Sequence, residues 1–140
     1  MINAMTGQLS PNLTASRIRT LLVDDHPFFL RVLRRFLESH VAVVGAATNG
    51  EECLTEVTRL QPQLIVLDLS MPGLSGLDLI PRLREAVPET RVVILTLHDT
   101  EADRRAALEA GAQGFVSKAR LFADLLPAIG RVMEGDHVPN

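Results

Sequence analysis

Short apolar runs recur along the chain, and each is bounded by polar or turn-forming residues. These runs lie at residues 20–23, 41–46, 64–67, 92–95 and 114–116. Between them lie segments of about 10–12 residues whose apolar positions repeat with helical spacing. The alternation predicts five strands, each followed by a helix, as in consecutive βαβ units.

The predicted helices cover residues 27–38, 51–60, about 77–87, 100–110 and 121–133. Pro27 suits the first helical position, while Gly111 and Gly135 follow the last two helices as expected C-caps. The first helix should turn one apolar face inward. That face would consist of Phe28, Val32, Leu33 and Phe36.

Two prolines disturb this helical pattern. Pro81 fits the third helix only if that helix begins late, near Leu79. Pro127 lies within the fifth helix, where a proline removes a hydrogen bond and clashes with the preceding turn, at a cost of roughly 3 kcal/mol. We therefore expect the fifth helix to be kinked or interrupted.

The run at residues 64–67 is apolar on both faces, which is typical of a parallel strand covered by helices on both sides. We predict an α/β fold with a five-stranded parallel sheet, five helices on both faces and right-handed crossovers. One domain is expected over residues 18–135. Residues 1–17 should form a flexible arm, and residues 136–140 a tail or the beginning of a linker.

Composition restricts the class of protein without identifying it. Of the 140 residues, 46% are hydrophobic and 22% are charged, which is typical of a globular domain and excludes a disordered chain. The apolar runs are too short to span a bilayer and residues 1–17 do not resemble a secretory signal, so we expect a cytoplasmic protein with no membrane partner. The net charge of −3 gives no reason to expect DNA binding by this chain alone.

Polar residues stand at the carboxyl ends of the predicted strands, where ligands bind in open α/β sheets. They include Asp24, Asp25, Asp68, Thr96 and Lys118. Two carboxylates about 5 Å apart repel by roughly 3 kcal/mol at an effective dielectric constant of about 20, so three carboxylates need a proton or a cation. Carboxylate oxygens suit Mg²⁺, which would leave one carboxylate free to attack a phosphoryl group. Lys118 and Thr96 would then hold the phosphoryl oxygens.

The chain resembles the receiver domain of bacterial response regulators from about residue 18 to residue 133. The resemblance lies in the order and spacing of Asp24-Asp25, Asp68-Leu69-Ser70-Met71-Pro72-Gly73, Thr96 and Lys118. It implies the flavodoxin-like strand order 2-1-3-4-5. It also implies a signalling switch controlled by phosphorylation. Such a switch is not an enzyme, and its chemistry is limited to its own phosphorylation and dephosphorylation.

Carried over residue by residue, the resemblance makes Asp68 the phosphoacceptor. Asp25 would bind Mg²⁺ directly, with Mn²⁺ as a substitute, and Asp24 would bind it through water. Asp68 and the backbone carbonyl of Ser70 would complete the protein ligands, and Lys118 would pair with the phosphoryl group. We interpret His26 as a residue at the beginning of the first helix and not as a metal ligand.

The resemblance further implies that Thr96 and Phe115 form the pair of side chains that switches on phosphorylation. Leu97 stands where the family usually has a small residue, so it should restrict access of phosphodonors and water to Asp68. His98 stands at a position that tunes the lifetime of the phosphoryl group in the family, and it could orient a water.

The segment Asp25-His26-Pro27-Phe28 resembles regulators of the NarL/LuxR type, in which a helix-turn-helix domain follows the receiver. The chain would then be part of a transcription factor or a stand-alone receiver. The implied partner is a sensor histidine kinase, with a homodimer expected on phosphorylation. DNA is an expected partner only if a C-terminal helix-turn-helix exists.

Three other functions stay open. A degenerate receiver would act only as a protein-interaction module. A flavodoxin-like cofactor domain would need a phosphate loop rich in Ser, Thr or Gly after the first strand, where this chain has Asp24-Asp25-His26-Pro27. A phosphotransfer enzyme would use the same acyl-phosphate chemistry but would need a substrate pocket.

Overall fold

The computed structural model describes residues 17–135, so most of the predicted arm and the tail at 136–140 lie outside the described residues. Its strands are β1 (Arg19–Val23), β2 (Ala42–Ala47), β3 (Leu64–Leu67), β4 (Arg91–Thr96) and β5 (Gly114–Ser117). All pair in parallel, in the order β2-β1-β3-β4-β5. The predicted fold class and strand order are confirmed.

The helices are α1 (Pro27–Leu37), α2 (Gly50–Leu60), α3 (Gly76–Ala86), α4 (Glu101–Ala110) and α5 (Leu121–Met133). A short 3₁₀ turn, Lys118–Arg120, precedes α5. Side chains cap three of the helices, because Asn49, Ser75 and Thr100 each accept a hydrogen bond from a backbone amide in the first turn. None of the helices within residues 17–135 is long and apolar enough to cross a membrane.

Side chains that alternate along the strands divide the core into two clusters. In β3, Leu64 and Val66 face the cluster beneath α1 and α5, whereas Ile65 and Leu67 face the cluster beneath α2, α3 and α4. All four side chains are at most 1% exposed, and each fully buried aliphatic side chain contributes about 1.5–3 kcal/mol. The helices therefore cover both faces of the sheet, as predicted.

The predicted inward face of α1 is wrong at Phe28, which is 70% exposed. The buried positions of this helix are Leu33 and Leu37. Phe28 precedes Leu33 by five residues, which places it about 140° away around a helix that turns about 100° per residue. The side chain therefore points to solvent while Leu33 packs on the sheet.

The expectation that α3 begins late, near Leu79, is also wrong. The helix begins at Gly76 after the Ser75 cap, and Pro81 lies inside it. Pro81 is exposed, whereas Leu79, Ile80 and Leu83 are buried. Burial on the core side holds the helix together, and the hydrogen bond that proline cannot donate is lost on the solvent side.

Pro127 does not interrupt α5, which runs continuously from Leu121 to Met133. Pro127 and Ala123, whose carbonyl loses its usual partner, are both exposed, so water can reach that carbonyl. Leu126 and Ala128 flank the proline and are buried in the core. The packing of these neighbours offsets the local cost of the proline.

Cys53 and Arg17 both have structural positions away from the sheet ends. Cys53 is fully buried, and burial raises the pKa of its thiol to about 12. Arg17 was predicted to belong to the flexible arm, but it is held to the domain: its guanidinium donates to the carbonyl oxygens of Glu38 and Val41 at 2.7 and 3.2 Å.

Gly76 fixes the path of the chain after β3. A Cβ atom here would lie 2.5 Å from Leu69 Cα and 2.9 Å from the carbonyl oxygen of Asp68. Those neighbours are backbone atoms, which cannot turn aside as a flexible side chain can. The loop that follows Asp68 is therefore closed tightly onto the beginning of α3.

Replacing Gly76 with Ala should lower the free energy of unfolding by about 1–3 kcal/mol, because the added methyl group overpacks the backbone of the Asp68 loop. Urea denaturation monitored by circular dichroism measures the change. Glu85→Ala, at an exposed position of the same helix, is the control and should stay within about 0.5 kcal/mol of wild type. Equal stability of Gly76→Ala and wild type would contradict the close packing.

Candidate functional site

The parallel sheet brings the predicted polar residues to one edge. The backbone amide of Asp24 donates to Ala47 of β2, and that of Asp68 donates to Val23 of β1, each at 3.0 Å. These bonds extend the strand pairing by one residue past β1 and β3. They place two buried carboxylates, Asp24 at 2% and Asp68 at 3% exposure, side by side at the carboxyl end of the sheet.

Lys118, directly after β5, supplies the cation that the carboxylates require. Its Nζ lies 2.6 Å from Asp24 Oδ2 and 3.4 Å from Asp68 Oδ2, and its side chain is only 9% exposed. Water screens such a buried ion pair less than it screens one at the surface. The predicted convergence of Lys118 with Asp24 and Asp68 is therefore present in the fold.

His26 has a larger place in the site than its sequence suggested. It is the N-cap residue of α1, as expected of a residue at the beginning of that helix. In addition, its backbone amide donates to Asp24 Oδ1 at 2.9 Å, and its Nδ1 atom lies 3.2 Å from that oxygen and 3.1 Å from Asp25 Oδ1. The sequence feature that could have indicated these contacts is the position of His26, directly after two aspartates and before a proline that begins a helix.

The acidic cluster fits a divalent cation. Ligand atoms from Asp24, Asp25, His26 and Asp68 lie within 4.8 Å of one another. Among the side chains that the structure describes, Asp25 Oδ1 is the one buried oxygen or nitrogen atom that makes no hydrogen bond. His26 Nδ1 lies 3.1 Å from this oxygen without forming a hydrogen bond to it, and a cation bound to the oxygen would satisfy it. The residues could therefore hold a metal ion.

Asp68 is held by its own loop. The backbone amide of Ser70 donates to Asp68 Oδ1 at 3.2 Å, which leaves Oδ2 facing Lys118. Ser70 itself is exposed and stands beside the carboxylate cluster, where its backbone carbonyl was predicted to bind the metal. One oxygen of the carboxylate is thus anchored while the other faces the cation.

The predicted switch residues lie on the neighbouring strands. Thr96, at the end of β4, is fully buried, and its hydroxyl oxygen accepts a hydrogen bond from the amide of His98 at 3.1 Å. Phe115 in β5 is half-buried against the cluster beneath α2, α3 and α4. The Ser117 hydroxyl donates to Asp99 Oδ2 at 2.6 Å. The loop after β4 is therefore fastened to the ends of β4 and β5, and the Ser117–Asp99 bond carried no sequence signal.

A cleft of about 320 Å³ opens beside the Asp68 loop. Its lining consists of Leu69, Ser70, Met71, Ser75, Leu77, His98 and Asp103. Of the two predicted access-tuning residues, His98 therefore lines the cleft, whereas Leu97 is outside this lining and 69% exposed. The restriction of access by Leu97 stays a prediction.

Comparison with known families identifies the class of this domain. A sequence model of the response regulator receiver domain matches residues 20–130, nearly all of the described part of the chain. The chain belongs to the response regulator receiver domain family, as the spacing of its acidic residues and Lys118 indicated. It is a component of two-component regulatory systems.

Individual relatives agree with the NarL/LuxR type. The transcriptional activator protein ExaE of Pseudomonas putida is 42% identical over 117 residues, which are 82% of this chain and 55% of that protein. The nitrate/nitrite response regulator protein NarL of Escherichia coli (strain K12) is 37% identical over 84% of this chain and 56% of that protein. This chain thus spans about half the length of these curated relatives.

A solved structure gives the same result for the fold. The crystal structure of a LuxR-family two-component response regulator from Aurantimonas sp. SI85-9A1 is 34% identical and superimposes with a TM-score of 0.81. The match covers 85% of this chain and 86% of that chain. The receiver fold and its strand order are therefore shared with a relative of known structure.

A divalent metal should stabilise the domain, because it relieves the repulsion around Asp25. At a metal concentration about a hundredfold above Kd, ligand linkage gives about 2.7 kcal/mol. Thermal melts with and without Mg²⁺ measure the gain in wild type and in Asp25→Asn. Glu51→Gln, at an exposed position on α2, is the control that should keep the full metal effect. An equal gain in Asp25→Asn would locate the metal elsewhere.

Proposed function

We propose that this domain is a signalling switch in which Asp68 accepts a phosphoryl group from a sensor histidine kinase. The observation that supports it most is the position of Lys118, a buried ammonium between two buried carboxylates at the sheet edge. This arrangement keeps a cation ready for the charge that a phosphoryl group brings. An intact set of this kind also argues against a degenerate receiver that acts only as an interaction module.

The proposed reaction is a direct phosphoryl transfer. A carboxylate oxygen of Asp68 forms a bond to the phosphorus of a phosphohistidine on the kinase. The bond between phosphorus and the imidazole nitrogen breaks, and that nitrogen keeps the electron pair. The product is an acyl phosphate on Asp68, which water later hydrolyses. Transfer uses up the free Asp68 carboxylate, and hydrolysis restores it. We therefore propose that the domain is a phosphoacceptor and not an enzyme that acts on other substrates.

The side chains around Asp68 prepare this transfer. Asp24, Asp25, Asp68 and the Ser70 carbonyl would hold Mg²⁺, or Mn²⁺ in its place. When bound, that ion would neutralise negative charge on the incoming phosphoryl oxygens. The Ser70 amide holds one oxygen of Asp68 in place, so the other is presented to the donor. Lys118 leaves Asp24 and pairs with a phosphoryl oxygen as the negative charge on Asp68 grows.

The response to phosphorylation passes through Thr96. To reach the phosphoryl group, its hydroxyl gives up the hydrogen bond from the His98 amide, and the loop after β4 loses one of its attachments. The space beside β4 can then be filled by Phe115, which is already half-buried. We propose that the surface formed by α4, β5 and α5 carries the signal.

Our proposal for the output of this switch is based on the family to which the chain belongs. We propose control of transcription through a C-terminal helix-turn-helix outside this chain, because the relatives include a transcriptional activator and extend well beyond the matched region. A homodimer formed on phosphorylation, and DNA as a partner of the longer protein, belong to the same proposal. So does a cytoplasmic location, which follows from the place of receivers in two-component systems.

Intact mass measures phosphorylation directly. Incubation with a small phosphodonor such as phosphoramidate should add one phosphoryl group to the wild-type domain when Mg²⁺ is present. Asp68→Ala should gain none, since the proposed phosphoacceptor carboxylate is then missing. Glu89→Gln, an exposed carboxylate, is the matched control and should label as wild type. Full labelling of Asp68→Ala would overturn the assignment of the phosphoacceptor.

Replacing Thr96 with Ala should leave Asp68 able to accept a phosphoryl group but should uncouple that event from Phe115. Amide NMR shifts in α4 and β5, recorded with and without a beryllofluoride mimic of the phosphoryl group, report the coupling. We expect large shifts in wild type and shifts confined to the surroundings of Asp68 in the variant. Equal shifts in both proteins would show that the signal leaves by another route.

A further inference from the structure

Phe29 of α1 lies against the ammonium group that the phosphoryl site depends on. Its ring centroid is 4.2 Å from Lys118 Nζ, with the ammonium over the ring. Phe29 is half-buried and packs against the core cluster beneath α1 and α5. The ring therefore contacts both the hydrophobic core and the Lys118 ammonium.

The Phe29 ring partly replaces the contact with water that the Lys118 ammonium loses on burial. An ammonium has three N–H donors, and here its oxygen neighbours are the carboxylates of Asp24 and Asp68, at 2.6 and 3.4 Å. The Lys118 side chain is only 9% exposed, so little water reaches the ammonium. The negative face of an aromatic ring attracts a cation, and this attraction is strongest where water is excluded. An aliphatic side chain of the same size would fill the space without that attraction.

We propose that Phe29 is a positioning residue for phosphoryl transfer, and that its ring holds the Lys118 ammonium within reach of Asp68. This inference rests on the proposed function of Asp68. During transfer Lys118 must exchange Asp24 for a phosphoryl oxygen, and the directional hydrogen bonds change. Attraction to a ring face depends little on the direction of the N–H bonds, so it persists through the exchange.

The packing of α1 on the sheet fixes the position of the Phe29 ring next to the Lys118 ammonium. Pro27 begins α1, and Leu33 and Leu37 of the same helix are fully buried beneath it. Phe29 is thus attached to a helix that is anchored to the sheet on its inner side. Lys118 follows directly after β5, so the contact joins that end of the sheet to α1.

A neighbouring residue provides a matched control. Phe28 makes the same kind of contact, with the guanidinium carbon of Arg31 5.5 Å from its ring centroid, but it is 70% exposed and faces solvent. Phe28→Leu therefore removes a cation–ring contact from the same helix without touching Lys118. A small phosphodonor avoids any role of the outer face of α1 in kinase docking.

The experiment compares Phe29→Leu, Phe29→Tyr and Phe28→Leu with wild type. The rate of phosphorylation by phosphoramidate at saturating Mg²⁺ should fall between about twofold and thirtyfold in Phe29→Leu. Phe29→Tyr, which keeps the ring, and Phe28→Leu should stay within about twofold of wild type. In NMR spectra, the ε-methylene protons of Lys118 should show a ring-current shift in wild type and in Phe29→Tyr, and it should vanish in Phe29→Leu.

The outcomes separate the role of the ring from simple packing. A wild-type rate in Phe29→Leu would overturn the proposal, and so would an equal loss of rate in Phe29→Leu and Phe29→Tyr. If amide spectra show that Phe29→Leu does not fold, Phe29→Met takes its place, with the same slow rate expected. A wild-type domain that accepts no phosphoryl group would overturn the proposed function itself, even where the ring-current shift shows that Phe29 and Lys118 touch.

Discussion

The structure depends on the balance of charge at one edge of the sheet. Three carboxylates, those of Asp24, Asp25 and Asp68, meet there, and one buried ammonium, that of Lys118, lies between two of them. Carboxylates at such distances repel by a few kcal/mol, which is a large part of the stability of a small domain. Lys118 offsets part of this cost, and the proposed metal ion would offset more of it.

The contacts around this edge differ in how easily they change. Asp68 is followed by a loop that Gly76 closes tightly on β3, where an added Cβ would meet backbone atoms. The loop after β4 is attached instead by single hydrogen bonds to Thr96 and Ser117. A new charge on Asp68 therefore meets a rigid support on one side and a loop that can move at low cost on the other. This difference supports the proposed route of the signal through α4 and β5.

Local rules and tertiary packing disagree at the two helical prolines. Pro81 and Pro127 each cost a hydrogen bond, yet α3 and α5 continue through them. In both helices the proline is exposed while the residue before it is buried, so the hydrogen bond is lost where water can compensate for it. Helix propensity alone could not predict that these helices continue, because it does not show which side of a helix will pack against the core.

The sequence by itself determined the order of strands and helices, the family, and the presence of Asp24, Asp25, Asp68, Thr96 and Lys118 at one sheet edge. It could do so because strands buried on both faces leave an unmistakable apolar pattern, and the carboxyl ends of parallel strands meet at one edge. Only the tertiary structure decided that Phe28 faces solvent, that Phe29 covers Lys118, and that His26 touches two aspartates. Those contacts depend on the rotation of α1 about its axis and on its docking against β1 and β2, and both are set by residues that lie far apart in the chain.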